Sequence, residues 1–440
     1  MPDPKVTRRE FMAVGGAAAA ASVLPTTTWA AEPRRKRRLA LVGTGIRGTT
    51  MWGRDIASKY ADVLEFVGLC DINPLRVEAG KKAIGVSCPT FTSLDEMLDK
   101  AKPDVLMVTT VCATHAGCIV NALDRGIDVM TEKPMVTDET QCRSVLDAEK
   151  RNNKKIVVTF NYRYAPKHQK IKEVLLSGAI GTPTSVDFSW YLDTRHGADY
   201  FRRWHRLREK SGSLWVHKST HHFDLVNWWL DADPVEVAAF GGLNHYGSKG
   251  PFRSEICRTC PHKAECPYHW DITKDPALVA LYVDCEKADG YHRDGCVFKE
   301  DVNIPDTMNA VVKYSTGVTM SYSVNTFMPI EGYRVAFNGT QGRLEVRDFE
   351  RQAWEVDYDS EIQIIKNFGQ RELITLPKPD SGHGGGDDRL RDLIFRNVAM
   401  PDYMRLPDSR AGALSCLTGV AALKSMDEDR PVRIADLLKV

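Results

Sequence analysis

No stretch beyond residue 31 runs to the roughly 18 uninterrupted apolar residues that a membrane helix needs, so the mature chain is expected to lack a membrane span. Nor is there an excess of either charge, since 59 basic residues stand against 58 acidic ones. A balanced chain lacks the basic footprint of a protein whose main partner is nucleic acid. The run RRKRR at 34–38 does not alter this; it is short and reads as a solvated linker ahead of an apolar strand. No internal repeat is present. What the 440 residues do carry is a 43% apolar fraction, enough for a substantial core and for two domains.

The N-terminus has a texture of its own. The segment TRREFMAVGGAAAAASVLPTTTWAAEP places Arg8 and Arg9 ahead of Phe11, then an Ala/Gly-rich apolar stretch, then small residues around Ala30 and Ala31. That layout is expected of a twin-arginine export signal covering residues 1–31, which makes the mature chain periplasmic or otherwise extracytoplasmic. Removing these residues takes away three basic and two acidic side chains and leaves a formal charge of zero. Export of an already folded chain suits a protein that must acquire its cofactor before leaving the cytoplasm.

From residue 32 to about 155, short apolar runs (RLALV, VLEFVGLC, DVLMVTT, IDVMT) alternate with amphipathic segments. This alternation predicts an α/β domain, a parallel sheet covered on both faces. Beyond it, TSVDFSWYL, VEVAAFGGL, NAVVKYSTGVTMSYSVN, YRVAFNGTQGRLEV and QAWEVDY alternate polar and apolar residues. They predict an α+β domain over 156–440 with a large, mainly antiparallel sheet, interrupted by a Cys-rich insert at about 250–300. A helix is expected to begin near Asp387 and Asp388, after the Gly-rich SGHGGG.

Chemistry enters at LVGTGIRG. Gly43, Gly45 and Gly48 have the GxGxxG spacing, with a strand before and a helix after, so Gly43 to Gly48, including Ile46 and Arg47, are expected to cradle a dinucleotide diphosphate. Asp71 closes the next strand, where a carboxylate accepts hydrogen bonds from a ribose diol and repels a 2′-phosphate. NAD is therefore favoured over NADP, with Arg47 and Arg76 softening the preference.

GTGIRG, CDIN, THAGCIVNALDRG, TEKPM, FNYRYAP, SGAIGTP and FNGTQGRLEV, in that order, resemble the glucose-fructose oxidoreductase, inositol dehydrogenase and rhizopine-catabolism (Gfo/Idh/MocA) family over nearly all of the mature chain. The resemblance implies that Glu132, Lys133 and Pro134 correspond to the family's EKP, with Lys133 beside nicotinamide and substrate. An ammonium there hydrogen-bonds the reacting hydroxyl and stabilises developing alkoxide. It also implies that His221 is the family's catalytic histidine. His217 then stands where the family has an aspartate, and a histidine there orients or relays where a carboxylate would raise the neighbour's basicity.

The whole segment GSLWVHKSTHHFDLVNWWL admits three readings: proton transfer by His221 and His217, a metal site from His217, His221 and Asp224 on one helical face, or a polar helix cap. Lys218 is expected to add a second cation near an acidic or heavily hydroxylated substrate. Asn161, Tyr162, Arg163 and His383 are further candidates for the substrate cleft, and His115 for the neighbourhood of the cofactor. Among 11 cysteines, Cys257, Cys260 and Cys266, with Cys285 and Cys296 following, suggest a structural staple. Zinc ligation and disulfides are both compatible with the spacing, and an iron-sulfur centre is the third alternative. Cys70, Cys112 and Cys416 read as small buried hydrophobes.

The leading expectation is an oxidoreductase passing hydride between a sugar or polyol carbon and a nicotinamide cofactor, as a homo-oligomer built on an open sheet face. Two alternatives stand beside it. One is cleavage of a glycoside by a closed cycle on tightly bound NAD, in which transient oxidation, elimination and reduction succeed one another. The other is a non-catalytic sugar- or nucleotide-binding protein on the same fold.

Overall fold

The computed structural model describes residues 35–355, 360–377 and 382–438. The export signal expected over 1–31 lies outside them.

The first domain is a six-stranded, wholly parallel sheet: β1 (Arg37–Val42), β2 (Leu64–Cys70), β3 (Thr90–Phe91), β4 (Val105–Val108), β5 (Asp128–Thr131) and β6 (Ile156–Val158), in the order β3-β2-β1-β4-β5-β6. Its central strands are continuous apolar runs because helices cover both faces; Leu39, Leu41, Leu106 and Val129 are fully buried. Local chemistry sets the helix starts. Asn73 accepts from the N–H groups of Leu75 and Arg76 ahead of the Pro74–Ile84 helix, and Asp138 caps Glu139–Asn152. Two expectations shift here. β6 carries the sheet to Val158, past the boundary expected at 155, because its residues pair with β5. Arg37 and Arg38, expected in a solvated linker, begin β1, and Arg35 pairs with Asp104 at 2.6 Å.

The second domain holds a nine-stranded mixed sheet built from β7 (Pro183–Asp193), β8 (Pro234–Gly242), β9 (Thr307–Tyr314), β10 (Thr319–Met328), β11 (Glu331–Gly339), β12 (Gly342–Arg351), β13 (Ser360–Lys366), β14 (Arg371–Leu376) and β15 (Val432–Arg433). Every pairing is antiparallel except β7 with β10. Alternation along β9 and β10 buries one face against the Ser219–Leu230 and Ser409–Glu428 helices and leaves the other open, with Phe240 and Val311 exposed on it. Of QAWEVDY, expected as a strand, the described part is not one. Gln352 to Glu355 have no strand pairing, Trp354 is half exposed against Phe349, and the remainder lies outside the described residues.

The chain then returns to the first domain. The Gly386–Arg396 helix, which begins as expected beside Asp387 and Asp388, ties back through Tyr60 to Asp392 at 2.6 Å and through Arg391 to Asp55 at 3.0 Å. A second return segment pairs backbone directly, the Val158 N–H donating to the Pro407 carbonyl. The insert between β8 and β9 is clasped at its neck by Asp306, whose buried carboxylate accepts the N–H groups of Asn244, His245 and Tyr246. Among the described residues no helix is long and apolar enough to cross a membrane.

Candidate active site

At the carboxyl ends of β1, β2, β4 and β5 opens a cleft of roughly 680 Å³ that reaches from the glycine turn to the second domain. Gly43 adopts φ +92°, and a Cβ there would stand 2.6 Å from the Thr109 carbonyl carbon; at Gly48 it would stand 2.1 Å from the Gly43 oxygen. The tight turn and the close helix approach thus both require glycine. Asp71 is held facing the cleft because one carboxylate oxygen accepts from the Thr44 N–H at 2.9 Å and the other from the Asn73 N–H at 3.0 Å. The cradle and carboxylate fit a dinucleotide.

The Cys-rich insert supplies a further wall. Tyr282 reaches the glycine turn and its hydroxyl accepts the Ile46 N–H at 2.8 Å. Asn73 donates to the Cys285 carbonyl, and Asp289 pairs with Arg76 at 2.7 Å while Asp71 holds the same guanidinium at 3.4 Å. Arg76 also lies against the Tyr282 and Tyr291 rings. Arg47 is engaged as well, by Glu132 at 2.6 Å and Asp387 at 3.4 Å, and Glu132 additionally accepts from the Trp52 indole. The two arginines expected to soften the preference against a 2′-phosphate are therefore both bound to carboxylates.

At the other end stands Lys133, at the end of β5, with Nζ 3.2 Å from the His217 carbonyl oxygen. Burial pushes its ammonium down to about 8, opposed by Glu132. His217 ends the short Ser213–His217 helix, which Ser213 enters at φ +68°, an uncommon conformation for a residue with a side chain. Its Nδ1 lies 3.2 Å from the Cys112 sulfur, so Cys112 is a cleft residue as well as a buried hydrophobe. Burial first, then the charges of Lys133 and Arg203, hold His217 well below the usual imidazole range. Lys218 is 2% exposed, with Nζ 3.3 Å from the Tyr162 hydroxyl and 4.6 Å from the centre of the Trp190 ring. His221, one turn on, stacks on Tyr162 at 4.2 Å and 12°. Lys133, Tyr162, His217, Lys218 and His221 share the cleft with Gly43, Gly45, Ile46, Arg47, Asp71 and Glu132.

Other expected residues are elsewhere. Asp224 is bound to Arg163 at 2.7 Å beneath Trp228, so it does not converge with His217 and His221 on a metal. Neither Arg163 nor Asn161 lines the cleft; Asn161 is buried against Asp387. His222 is core, stacked on Trp190 and bonded to the Tyr322 hydroxyl. His115 lines the cleft but spends Nδ1 on the Pro134 carbonyl at 2.8 Å. The side chain of His383 falls outside the described residues. Cys257, Cys260, Cys266 and Cys296 face one small cavity beside Arg202, whereas Cys285 sits apart on the insert's arm. All 11 thiols are free, and among the described residues no group of three or more His, Cys, Asp or Glu side chains is placed to hold a metal ion. Cys257, Cys260, Cys266 and Cys296 thus share one cavity with no disulfide among them.

The sequence reading missed His196, Tyr200, Arg203, Trp204 and His205, which line the substrate end. His205 stacks on Trp204 and lies 4.1 Å from the His217 ring. The one local signal was density: DTRHGADYFRRWHRLREK interleaves aromatics with cations directly after β7. Tyr282, Asp289 and Tyr291 were missed because the insert's fold, not its spacing, brings them over the cofactor end.

A parallel sheet in this strand order with its glycine turn and a lysine just past β5 is the arrangement of a dinucleotide-binding domain joined to a second, sheet-based domain. The chain belongs to the Gfo/Idh/MocA oxidoreductase family: residues 37–160 match its NAD-binding Rossmann fold and residues 172–434 its C-terminal α/β domain. It is 37% identical to YteT of Bacillus subtilis (strain 168), whose name places it among oxidoreductases, over 92% of this chain and 99% of that one. It is 24% identical to inositol 2-dehydrogenase of Salmonella typhimurium over 76% of this chain and 98% of that one. Among solved structures, the fold resembles aldose-aldose oxidoreductase of Caulobacter crescentus, with a TM-score of 0.62 at 16% identity, covering 91% of this chain and 100% of that one. It also resembles myo-inositol 2-dehydrogenase of Lactobacillus plantarum, again with a TM-score of 0.62, at 17% identity and covering 91% and 99%.

Proposed function

We propose that the protein oxidises, or reduces in reverse, a CH–OH carbon of a sugar or polyol with NAD as its cofactor. The carrying observation is that Lys133 and His221 line one cleft with the Gly43–Gly48 turn and Asp71. Lys133 Nζ donates to the oxygen of the reacting carbon and stabilises negative charge as its proton leaves. The His221 imidazole takes that proton, and His217, kept neutral by burial, holds the neighbouring backbone and ring positions. When bound, the nicotinamide supplies the hydride acceptor. NAD is preferred because Asp71 faces the ribose end and Arg76 is already held by two carboxylates. The test is nucleotide analysis of the purified protein, followed by reduction of NAD with a panel of sugars and polyols. Absence of any NAD(H) or NADP(H) binding after removal of endogenous nucleotide rejects the proposal.

A second reading draws support from the Tyr282 arm across the cofactor end. A cofactor enclosed in this way suits a closed cycle in which a glycoside is oxidised, cleaved and reduced again without exchange. Release of aglycone with no net change in nicotinamide absorbance selects it; strictly stoichiometric reduction rejects it. The inositol dehydrogenase and aldose oxidoreductase relatives support the choice of small polyhydroxylated substrates in either reading. Export by the twin-arginine route is proposed from the order of Arg8, Arg9, the apolar stretch and Ala30–Ala31 in the sequence, and cell fractionation with a twin-lysine variant tests it. Assembly into a homo-oligomer through the open sheet face around Phe240 and Val311 is proposed on the same footing, with sedimentation as its test.

A further inference from the structure

Lys133 and Lys218 reach into the reactive end of the cleft, with the exposed Lys210 also in its lining, and among the described residues neither of the first two forms an ion pair with a carboxylate. Lys133 donates to a backbone carbonyl, and Lys218 is served by one tyrosine hydroxyl and the faces of Trp190 and Tyr162. The carboxylates around them are committed to other partners. Glu132 is bound to Arg47 and Trp52, Asp199 to Arg203 and Arg293, Glu331 to His196 and the Asp193 N–H, and Glu350, whose charge also reaches Lys218, to Lys167 at 3.6 Å. Burying an ammonium without a counter-charge is costly, so two of them at one site mark a place made for negative charge. The developing alkoxide accounts for Lys133. It does not account for Lys218, which stands against Tyr162 and Trp190 on the second domain's side, away from the glycine turn where a diphosphate belongs.

We infer that the substrate is an acidic sugar, a uronic or aldonic acid, whose carboxylate is bound by Lys218. This rests on the oxidoreductase reading and narrows it. A neutral polyol would leave Lys218 with no carboxylate in direct contact and only the charges of Glu331 and Glu350 at longer range, whereas a substrate carboxylate forms a charge-assisted hydrogen bond with it. A phosphorylated sugar fits less well: its phosphate carries about 1.5 to 2 negative charges and demands more donors than one ammonium and one hydroxyl. The aromatic walls of Tyr162 and Trp190 exclude water and strengthen the pairing.

The experiment uses the full-length purified protein in its nucleotide-bound state. Binding of D-glucuronate, D-galacturonate, D-glucose, D-galactose and D-glucose 6-phosphate is measured by calorimetry and by quenching of tryptophan fluorescence, which Trp204 in the cleft wall makes sensitive. At least one uronate is expected to bind tenfold or more tightly than its neutral counterpart. Lys218→Gln is expected to remove that difference, and Lys218→Arg to retain most of it. Equal or tighter binding of the neutral sugars, or no uronate binding at all, overturns the inference, as does a uronate preference that survives in Lys218→Gln. Tighter binding of the sugar phosphate overturns the assignment to a carboxylate. The wild-type comparison is decisive even if Lys218→Gln does not fold. Failure of the oxidoreductase reading shows separately, as protein that binds these acids but no nicotinamide nucleotide.

Discussion

The hydroxyl of Tyr282 accepts the backbone N–H of Ile46 at 2.8 Å, joining the Cys-rich insert to the glycine turn across 236 residues of sequence. That N–H belongs to the group of donors that a GxGxxG turn directs at a diphosphate, so the insert's arm and the cofactor meet at the same atoms. An arm in that position is expected to slow the release of a nucleotide bound beneath it. Tyr282→Phe removes one hydrogen bond, worth about 0.5–1.5 kcal/mol, and Tyr282→Ala removes the ring as well. NADH is expected to dissociate about tenfold faster from Tyr282→Ala than from the wild type, measured by stopped-flow displacement with excess NAD. An unchanged rate would mean that the arm only rests on the turn.

Asp289 sets what Arg76 is free to do. With Asp71 on one side and Asp289 on the other, the charge of the guanidinium is already matched by two carboxylates. Asp289→Ala is expected to shift the NADP-to-NAD affinity ratio about tenfold toward NADP, with NAD affinity changing little. Fluorescence titration of both reduced nucleotides gives the ratio directly.

Lys133 gives a pH dependence whose sign follows from its lowered pKa. In the unfolded chain it titrates near 10.5, in the fold at about 8. Below about pH 8 both states carry the proton and the burial penalty is fully present. Between pH 8 and 10.5 the folded state binds fewer protons than the unfolded one, so this group's contribution to stability rises with pH and the penalty disappears. Lys133→Met is therefore expected to lower turnover by about a thousandfold while raising the melting temperature at pH 7, and that thermal advantage shrinks as the pH passes from 8 toward 10.5. In the wild type, loss of the ammonium gives kcat/KM an alkaline limb near pH 8. A melting temperature lower than wild type at pH 7 would contradict the burial argument.

Arg163 and Asp224 form an ion pair under Trp228, with side chains 12% and 2% exposed. Burial raises the Asp224 pKa and Arg163 opposes that rise. Removing one partner leaves the other buried and uncompensated, which costs about 3–5 kcal/mol. Arg163→Ala is expected to lose that much stability in urea titration, and Arg163→Met/Asp224→Leu to recover most of it. Substrate affinity of the double variant should stay close to wild type, because neither residue lines the cleft. A selective loss of substrate binding would return Arg163 to the site.

The parts of this protein that were legible in the sequence are those specified within one or two elements. Short apolar strands alternating with helices describe a sheet covered on both faces, and each helix start carries its own cap, as at Asn73 and Asp138. Gly43, Gly45, Gly48 and Asp71 can be recognised because backbone geometry at a strand-to-helix turn demands them locally. Lys133 and His221 were found through motif and resemblance. The pattern failed at the edge of the second sheet, where β13 and β14 are partly exposed and Gln352 to Glu355 alternate without pairing, since period-two patterning does not distinguish a paired edge strand from an extended loop. It failed also at Arg163 and Asp224. Their charges suggested chemistry, and only the packing of two helices shows that they neutralise each other.

The sequence by itself determined the order of the domains, the glycine turn with its acidic partner, and the presence of a lysine and paired histidines, because each depends on spacing within a single segment. Only the tertiary structure decided which charges meet. It brought Tyr282 and Asp289 from the insert over the cofactor end, seated His205 against His217, paired Arg47 with Glu132 and buried Lys218 with no ion-paired carboxylate among the described residues. The physical reason is that Coulomb interactions and desolvation depend on distance in space, and contacts between different elements have no local pattern in the sequence that reveals them.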